Sequence, residues 1–232
     1  MKVIISGGFS TAYRAVLPEF EKATGLSVTT GSGASQGKGP TTIASQLERG
    51  EHFDVVIMSR EGLSELMAAG RILPGSDVDL ATAALGAAVR AGASRPEVTT
   101  VDGFRRALLA AKLIAVPQST SGIYLIETVF PMLGIADRIH VKVFERGTQS
   151  AAALATGEVD MAVQPVSELM SVPGIDYLGE LADELQLIQM FSAAIVKASQ
   201  EPAAAARLIE FLASDRAAAA IARNGMQPAR GR

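Results

Sequence analysis

The sequence predicts an α/β fold of two lobes, and three observations carry that expectation. Short apolar, β-branched stretches alternate with helix-patterned segments along most of the chain, the pattern of mostly parallel sheets covered by helices. The alternation runs through once to about residue 82 and again from about 83 to 190. An alanine-rich tail then follows, expected to return to the first half. Lobe I is thus expected at 1–82 and 191–232 and lobe II at 83–190. Two chain crossings would act as a hinge, with the ligand cleft between the lobes.

The elements follow in order. Val3–Ser6 is the first strand. Ala12, Val16, Leu17, Phe20 and Ala23 then recur at helical spacing up to Gly25, with Pro18 expected to kink that helix. "LSVTTGSG" is a strand, "PTTIASQLERG" a helix with Pro40 in its first turn, "FDVVIMS" a buried strand and "REGLSELMAAG" a helix. In the second half "ALGAAVRAG", "KLIAVP", "HVKVFE" and "VDMAVQP" read as strands. "TVDGFRRALLAA", capped by Thr100 or Asp102, "SGIYLIETVFPML" and "QSAAALATG" read as helices. "LQLIQMFSAAIVK" reads as one or two strands, and the tail from Pro202 to Asn224 as two helices broken near Ser214-Asp215.

Composition removes several function classes. The 232 residues carry 21 basic and 24 acidic side chains, a net charge of -3, with none of the basic excess of a nucleic-acid binder. There is no cysteine, which excludes disulfides and thiolate chemistry. The two histidines, His52 and His140, cannot build a multi-histidine metal centre, so neither a metal nor a cofactor is expected. No apolar run approaches the roughly 20 residues of a membrane span. "VIISGG" directly after Met1-Lys2 leaves no room for a secretory signal. The chain as written is expected to be cytoplasmic, or periplasmic if a leader has been trimmed.

Four strand-to-helix turns carry the chemistry. "SGGFST" offers Phe9, Ser10 and Thr11; "GSGASQGKGPTT" offers Ser35, Lys38 and Thr41; "VPQSTSG" offers Ser119 and Ser121; "FERGTQS" offers Arg146, Gly147 and Thr148. Each sets hydroxyls and unpaired amides at a helix N-terminus, where the dipole adds partial positive charge. One such turn is ordinary capping. Four, two per lobe, point to a shared anion site.

"PEFEKATG", "TTIASQLERGEHFDVVIMS", "KLIAVPQSTSGIY" and "ALATGEVDMAVQP", in that order and across nearly the whole chain, resemble the periplasmic molybdate-binding proteins of ABC transporters. The resemblance implies the type II periplasmic-binding (Venus flytrap) fold, a small oxyanion held by hydroxyls and amides of these turns, and an ABC permease as partner if the protein is exported. Two departures bear on the ligand. Phe9 stands where that family usually presents a serine, and Gln164 and Pro165 stand where it presents a tyrosine. The second turn is also longer and brings Lys38, which favours a carboxylate over a bare tetrahedral oxyanion. Aconitate isomerases, similar in fold to the molybdate binders, move a double bond in a tricarboxylate. An isomerase of a small polycarboxylate is therefore the alternative to a substrate-binding protein.

Several residues carry two readings. Lys38 is a carboxylate ligand or a solvated loop lysine. Arg146 is a bidentate clamp or a surface ion pair with Glu145 or Glu127. Gln164, at a strand's carboxyl end, faces the expected crevice. Tyr124 reaches the cleft or packs with its hydroxyl at the rim. Phe9 shapes the pocket wall or fills the core. Asp54 and Asp160 begin strands and are expected to pin turns. For a 1,3-proton shift the candidate proton carriers are Lys38 and Tyr124.

Overall fold

The computed structural model describes residues 1–170 and 172–229. The chain lays down β1 (Lys2–Ile5), α1 (Gly7–Thr24), β2 (Thr29–Ser32), α2 (Ile43–Glu48), β3 (Val55–Ser59), α3 (Arg60–Ala68) and β4 (Val78–Ala83). It continues with β5 (Leu85–Arg90), α4 (Val101–Ala110), β6 (Ile114–Pro117), α5 (Thr120–Tyr124), α6 (Phe130–Met132), β7 (Val141–Phe144), α7 (Gly147–Thr156), β8 (Met161–Pro165) and β9 (Ile175–Glu180). It closes with β10 (Gln189–Ile195), α8 (Pro202–Leu212), α9 (Asp215–Arg223) and β11 (Gln227–Pro228). Two compact units result. One comprises Met1–Ala83 and the chain from Met190 onward; the other is Ala84–Gln189.

The first unit holds a sheet in the order β11-β4-β10-β3-β1-β2. β1 pairs parallel with both β2 and β3, while β10 runs antiparallel to β3. The three parallel strands therefore end on one edge. β1 and β3 are buried on both faces, with Ile4, Val56 and Met58 on one side and Val3, Ile5 and Ile57 on the other, as central strands of a covered sheet must be. Helix α1 buries Phe9, Ala12, Tyr13, Val16 and Phe20, one stripe at helical spacing, against α8 and α9. The Phe20 and Phe211 rings sit 5.5 Å apart there.

Helix α1 starts at Gly7, so the stretch expected to be a turn is already helical. Close packing explains this. A Cβ on Gly8 would lie 2.1 Å from the Phe191 ring, so a glycine there lets the helix start settle onto β10. Phe9 consequently points into the core, wholly buried, rather than onto a pocket wall. Helix α2 starts later than expected, at Ile43. Thr42 caps it by accepting the Ser45 N–H at 3.1 Å, and Pro40 lies in the loop before it.

The second sheet runs β7-β6-β8-β5-β9. β6 is parallel to β7 and β8, whereas β5 is antiparallel to β8 and β9. Both sheets are thus mixed rather than mostly parallel. The antiparallel partners β4, β9 and β11 were not among the expected strands. Between α5 and α6 a π-helical segment, Leu125–Val129, keeps residues 120–132 one continuous rod, with Leu125, Val129 and Phe130 in the core.

Asp54 and Asp160 do pin backbone. Asp54 accepts from the N–H of Lys2 (2.7 Å) and of Gln200 (3.1 Å) and from the Ser199 hydroxyl (2.7 Å). Asp160 accepts from the amides of Lys112 and Leu113, both at 2.9 Å.

Candidate functional site

In the second unit the parallel strands β7, β6 and β8 deliver their carboxyl ends side by side. That is the edge of an open α/β sheet where ligands are bound. β6 leads into α5 through Gln118 and Ser119. Ser119 is the N-cap, yet its side chain makes no capping bond. A Cβ on Gly122 would fall 1.7 Å from the Pro117 carbonyl, so only glycine lets the helix fold back this tightly over its strand. That turn leaves the first amides of α5 without intrahelical acceptors. Ser121, fully buried, has no hydrogen-bond partner for its hydroxyl among the described residues.

β7 leads into α7 through Arg146, the N-cap, with Gly147 first in the helix and Thr148 exposed beside it. One turn in, Ser150 is wholly buried and its hydroxyl also lacks a partner among the described residues.

β8 ends at Gln164 and Pro165 and turns through a short 3₁₀ segment, Val166–Glu168. The buried Gln164 amide nitrogen donates to the carbonyls of Gly147 (3.1 Å) and Glu168 (3.2 Å). Two carbonyl acceptors fix the orientation of the amide. Its oxygen is left buried with no donor among the described residues, as is the Ser167 hydroxyl. The Glu168 carboxyl lies against Gly147: a Cβ there would be 2.3 Å from Oε2 and 2.6 Å from Oε1. Desolvation pushes this carboxyl, on a residue that keeps part of its surface exposed, up to about 7.

Native proteins leave few buried polar atoms unpaired. Here Ser121, Ser150, Gln164 and Ser167 each keep one with no partner among the described residues, near the ends of three adjacent strands. The set offers hydroxyl and amide donors, one amide acceptor and one neutral-range carboxyl, which is the chemistry of a polar ligand that brings both oxygens and hydrogens.

The first unit has its own set at the ends of β1, β2 and β3. Ser6, 4% exposed and N-cap of α1, has an unpartnered hydroxyl among the described residues. Ser35 accepts the Ser59 N–H at 2.9 Å, which leaves its own proton to give. Ser59 caps α3 through the Gly62 N–H. Arg60 opens that helix and is held by Asp77 at 2.7 Å.

The remaining expected residues fall elsewhere. Ser10 is half-buried within α1, and its hydroxyl donates back to the Gly7 carbonyl at 2.7 Å. Thr11 is exposed on the same helix. Thr41 contributes its carbonyl to Ala34 and to Gln46. Lys38 lies exposed on its glycine-rich loop. Tyr124 packs against the second core, and its hydroxyl donates to the Gln186 carbonyl at 3.3 Å. Sequence reasoning missed Ser6, Ser59, Ser150, Ser167 and Glu168. A serine directly before a helical pattern marks Ser6 and Ser59 as caps; nothing local marks the other three.

Comparison with known proteins matches residues 1–227 to the family described as bacterial extracellular solute-binding protein. An aconitate isomerase from Pseudomonas sp is 37% identical over 229 residues, spanning 98% of this chain and 87% of that protein. Among solved structures, the periplasmic molybdate-binding protein of Azotobacter vinelandii superposes with a TM-score of 0.77 at 19% identity, over 97% of this chain and 98% of that one. The sulfate-binding protein of Mycobacterium tuberculosis gives 0.77 at 18% identity, over 99% and 86%. These likenesses establish the two-lobe fold of periplasmic binding proteins.

Proposed function

The chain belongs to the bacterial extracellular solute-binding proteins, and from that premise we propose that it binds a small polycarboxylate anion. The observation that carries this is the fully buried Ser121 hydroxyl, unpartnered among the described residues beside the first amides of its helix. Ser119, Gly147, Thr148 and Arg146 complete the donor set on this unit.

The Gln164 oxygen argues for a carboxylic ligand over molybdate or sulfate. It is a buried acceptor, and a fully deprotonated tetrahedral oxyanion has no hydrogen to offer it. A polycarboxylate brings C–H groups and, on one arm, an acidic proton.

A second reading is favoured by Glu168 and by the 37% identical aconitate isomerase: the bound polycarboxylate is isomerised by a 1,3-proton shift. On the binding reading, and if the protein is exported, its partner is an ABC permease in the membrane. The isomerase reading requires none.

Thermal-shift titration with molybdate, sulfate, citrate and cis- and trans-aconitate tests the ligand class. A ligand at 100 times its Kd stabilises by about 2.7 kcal/mol. Stabilisation by molybdate or sulfate with no response to the polycarboxylates would overturn the proposal. Proton NMR of cis-aconitate incubated with the protein tests the second reading, and an unchanged spectrum removes it.

A further inference from the structure

Resting on the isomerase reading, we infer that Glu168 is the catalytic group that carries the proton between two carbons of the substrate. The geometry comes first. Glu168 follows β8 directly, and its carboxyl touches Gly147, the first residue of α7. The Gln164 amide ties both residues together through their carbonyls. The carboxyl is thus held at the strand end where Gln164, Ser150 and Ser167 also keep buried polar atoms with no partner among the described residues.

The other titratable side chains are placed differently. Tyr124 gives its hydroxyl to the Gln186 carbonyl. Lys38 is exposed on a loop of the first unit, and Glu145 is exposed before α7. His140 and Asp160 precede β7 and β8, at the opposite ends of those strands. His52 likewise precedes β3. Arg146 flanks Gly147 but, as a guanidinium, cannot act as a base. Burial alone holds the Glu168 carboxyl near 7, where both its forms are populated at neutral pH and a general base is most effective.

The step balances without any co-reactant. The Glu168 carboxylate takes a proton from the methylene carbon next to one substrate carboxylate. The released C–H pair forms the new double bond, and the electron pair of the old one collects at its far carbon. The same proton, now on Glu168, goes to that carbon. Charge that builds on the substrate carboxylate meets the first amides of α5 and the Ser121 hydroxyl, donors already in place before the reaction.

The test is Glu168→Gln in the whole protein, with cis-aconitate as substrate. Wild type converts it to the trans isomer and, in D2O, returns the substrate's own proton to the far carbon, so that the product carries little deuterium. E168Q is expected to keep the citrate-induced thermal shift while losing kcat by about 100-fold or more. A smaller loss, with the proton still transferred without deuterium uptake, overturns the inference. Should E168Q fail to fold, Glu168→Asp decides: drawing the carboxyl back by one methylene should lower kcat about 10-fold or more at similar KM, and an unchanged kcat overturns the assignment. Inactive wild type removes the isomerase reading itself, an outcome distinct from active wild type with an active E168Q.

Discussion

Gln164 donates its side-chain amide to the Gly147 carbonyl at 3.1 Å, lashing the end of β8 to the first turn of α7. The same nitrogen reaches the Glu168 carbonyl at 3.2 Å. Gln164→Leu leaves two carbonyls without that donor. It is expected to cost about 1–3 kcal/mol in urea unfolding and to lower polycarboxylate affinity. Unchanged stability would mean that the tie contributes nothing.

Ser121 should behave in the opposite way. Its hydroxyl has no partner among the described residues, so Ser121→Ala removes a polar group that the fold does not use. Stability should stay within about 0.5 kcal/mol or rise. Affinity for the anion, read by calorimetry, should fall about 10-fold, equivalent to about 1.4 kcal/mol. A bulkier residue, Ser121→Phe, should abolish binding.

The pH dependence of stability has a definite sign at Glu168. Burial raises its carboxyl to about 7, so between the unfolded value near 4.5 and about 7 the folded state holds the extra proton. Wild type therefore loses stability as pH rises through that window. Glu168→Gln has no such loss. Its advantage in unfolding free energy, from urea titrations at each pH, should be absent below pH about 4.5 and grow to at most about 3 kcal/mol above pH 7. A difference that does not vary with pH would refute the raised carboxyl.

Asp54 has the reverse sign. Burial opposes its charge, but donors from Lys2, Ser199, Gln200 and Glu201 more than offset this and lower its pKa. Its contribution is present above the unfolded carboxylate pKa and is lost as pH falls through the folded value. Asp54→Asn at pH 7 should cost about 2 kcal/mol or more, with the cost shrinking in acid. Denaturant titrations of both proteins at pH 7 and pH 3 measure this.

Much of the architecture was legible because it follows local chemistry. Gly25 and Gly157 stop α1 and α7 with φ of 70° and 79°, and apolar runs such as "VVIM" mark the buried strands. β9 escaped because all its residues stay partly exposed, so "IDYLGE" shows no clean alternation. The opening turn misled for a different reason. Paired glycines predict loop on propensity, but the Phe191 ring on Gly8 makes them the start of a helix. At the candidate site, Ser121 was read from its turn and Gln164 from its place at a strand's carboxyl end. Glu168 was not read, because the residues that desolvate it are brought around it only by the fold, Gly147 among them.

The π-helical segment Leu125–Val129 has a consequence for the second unit. One surplus residue in an otherwise α-helical rod advances everything beyond it by about 100° around the axis. The serine-bearing start and the Phe130 end are thereby set to independent phases. Selection at either end can proceed without re-aiming the other, and deletion of a single residue within 125–129 would swing Phe130 out of its slot while leaving Ser121 where it stands.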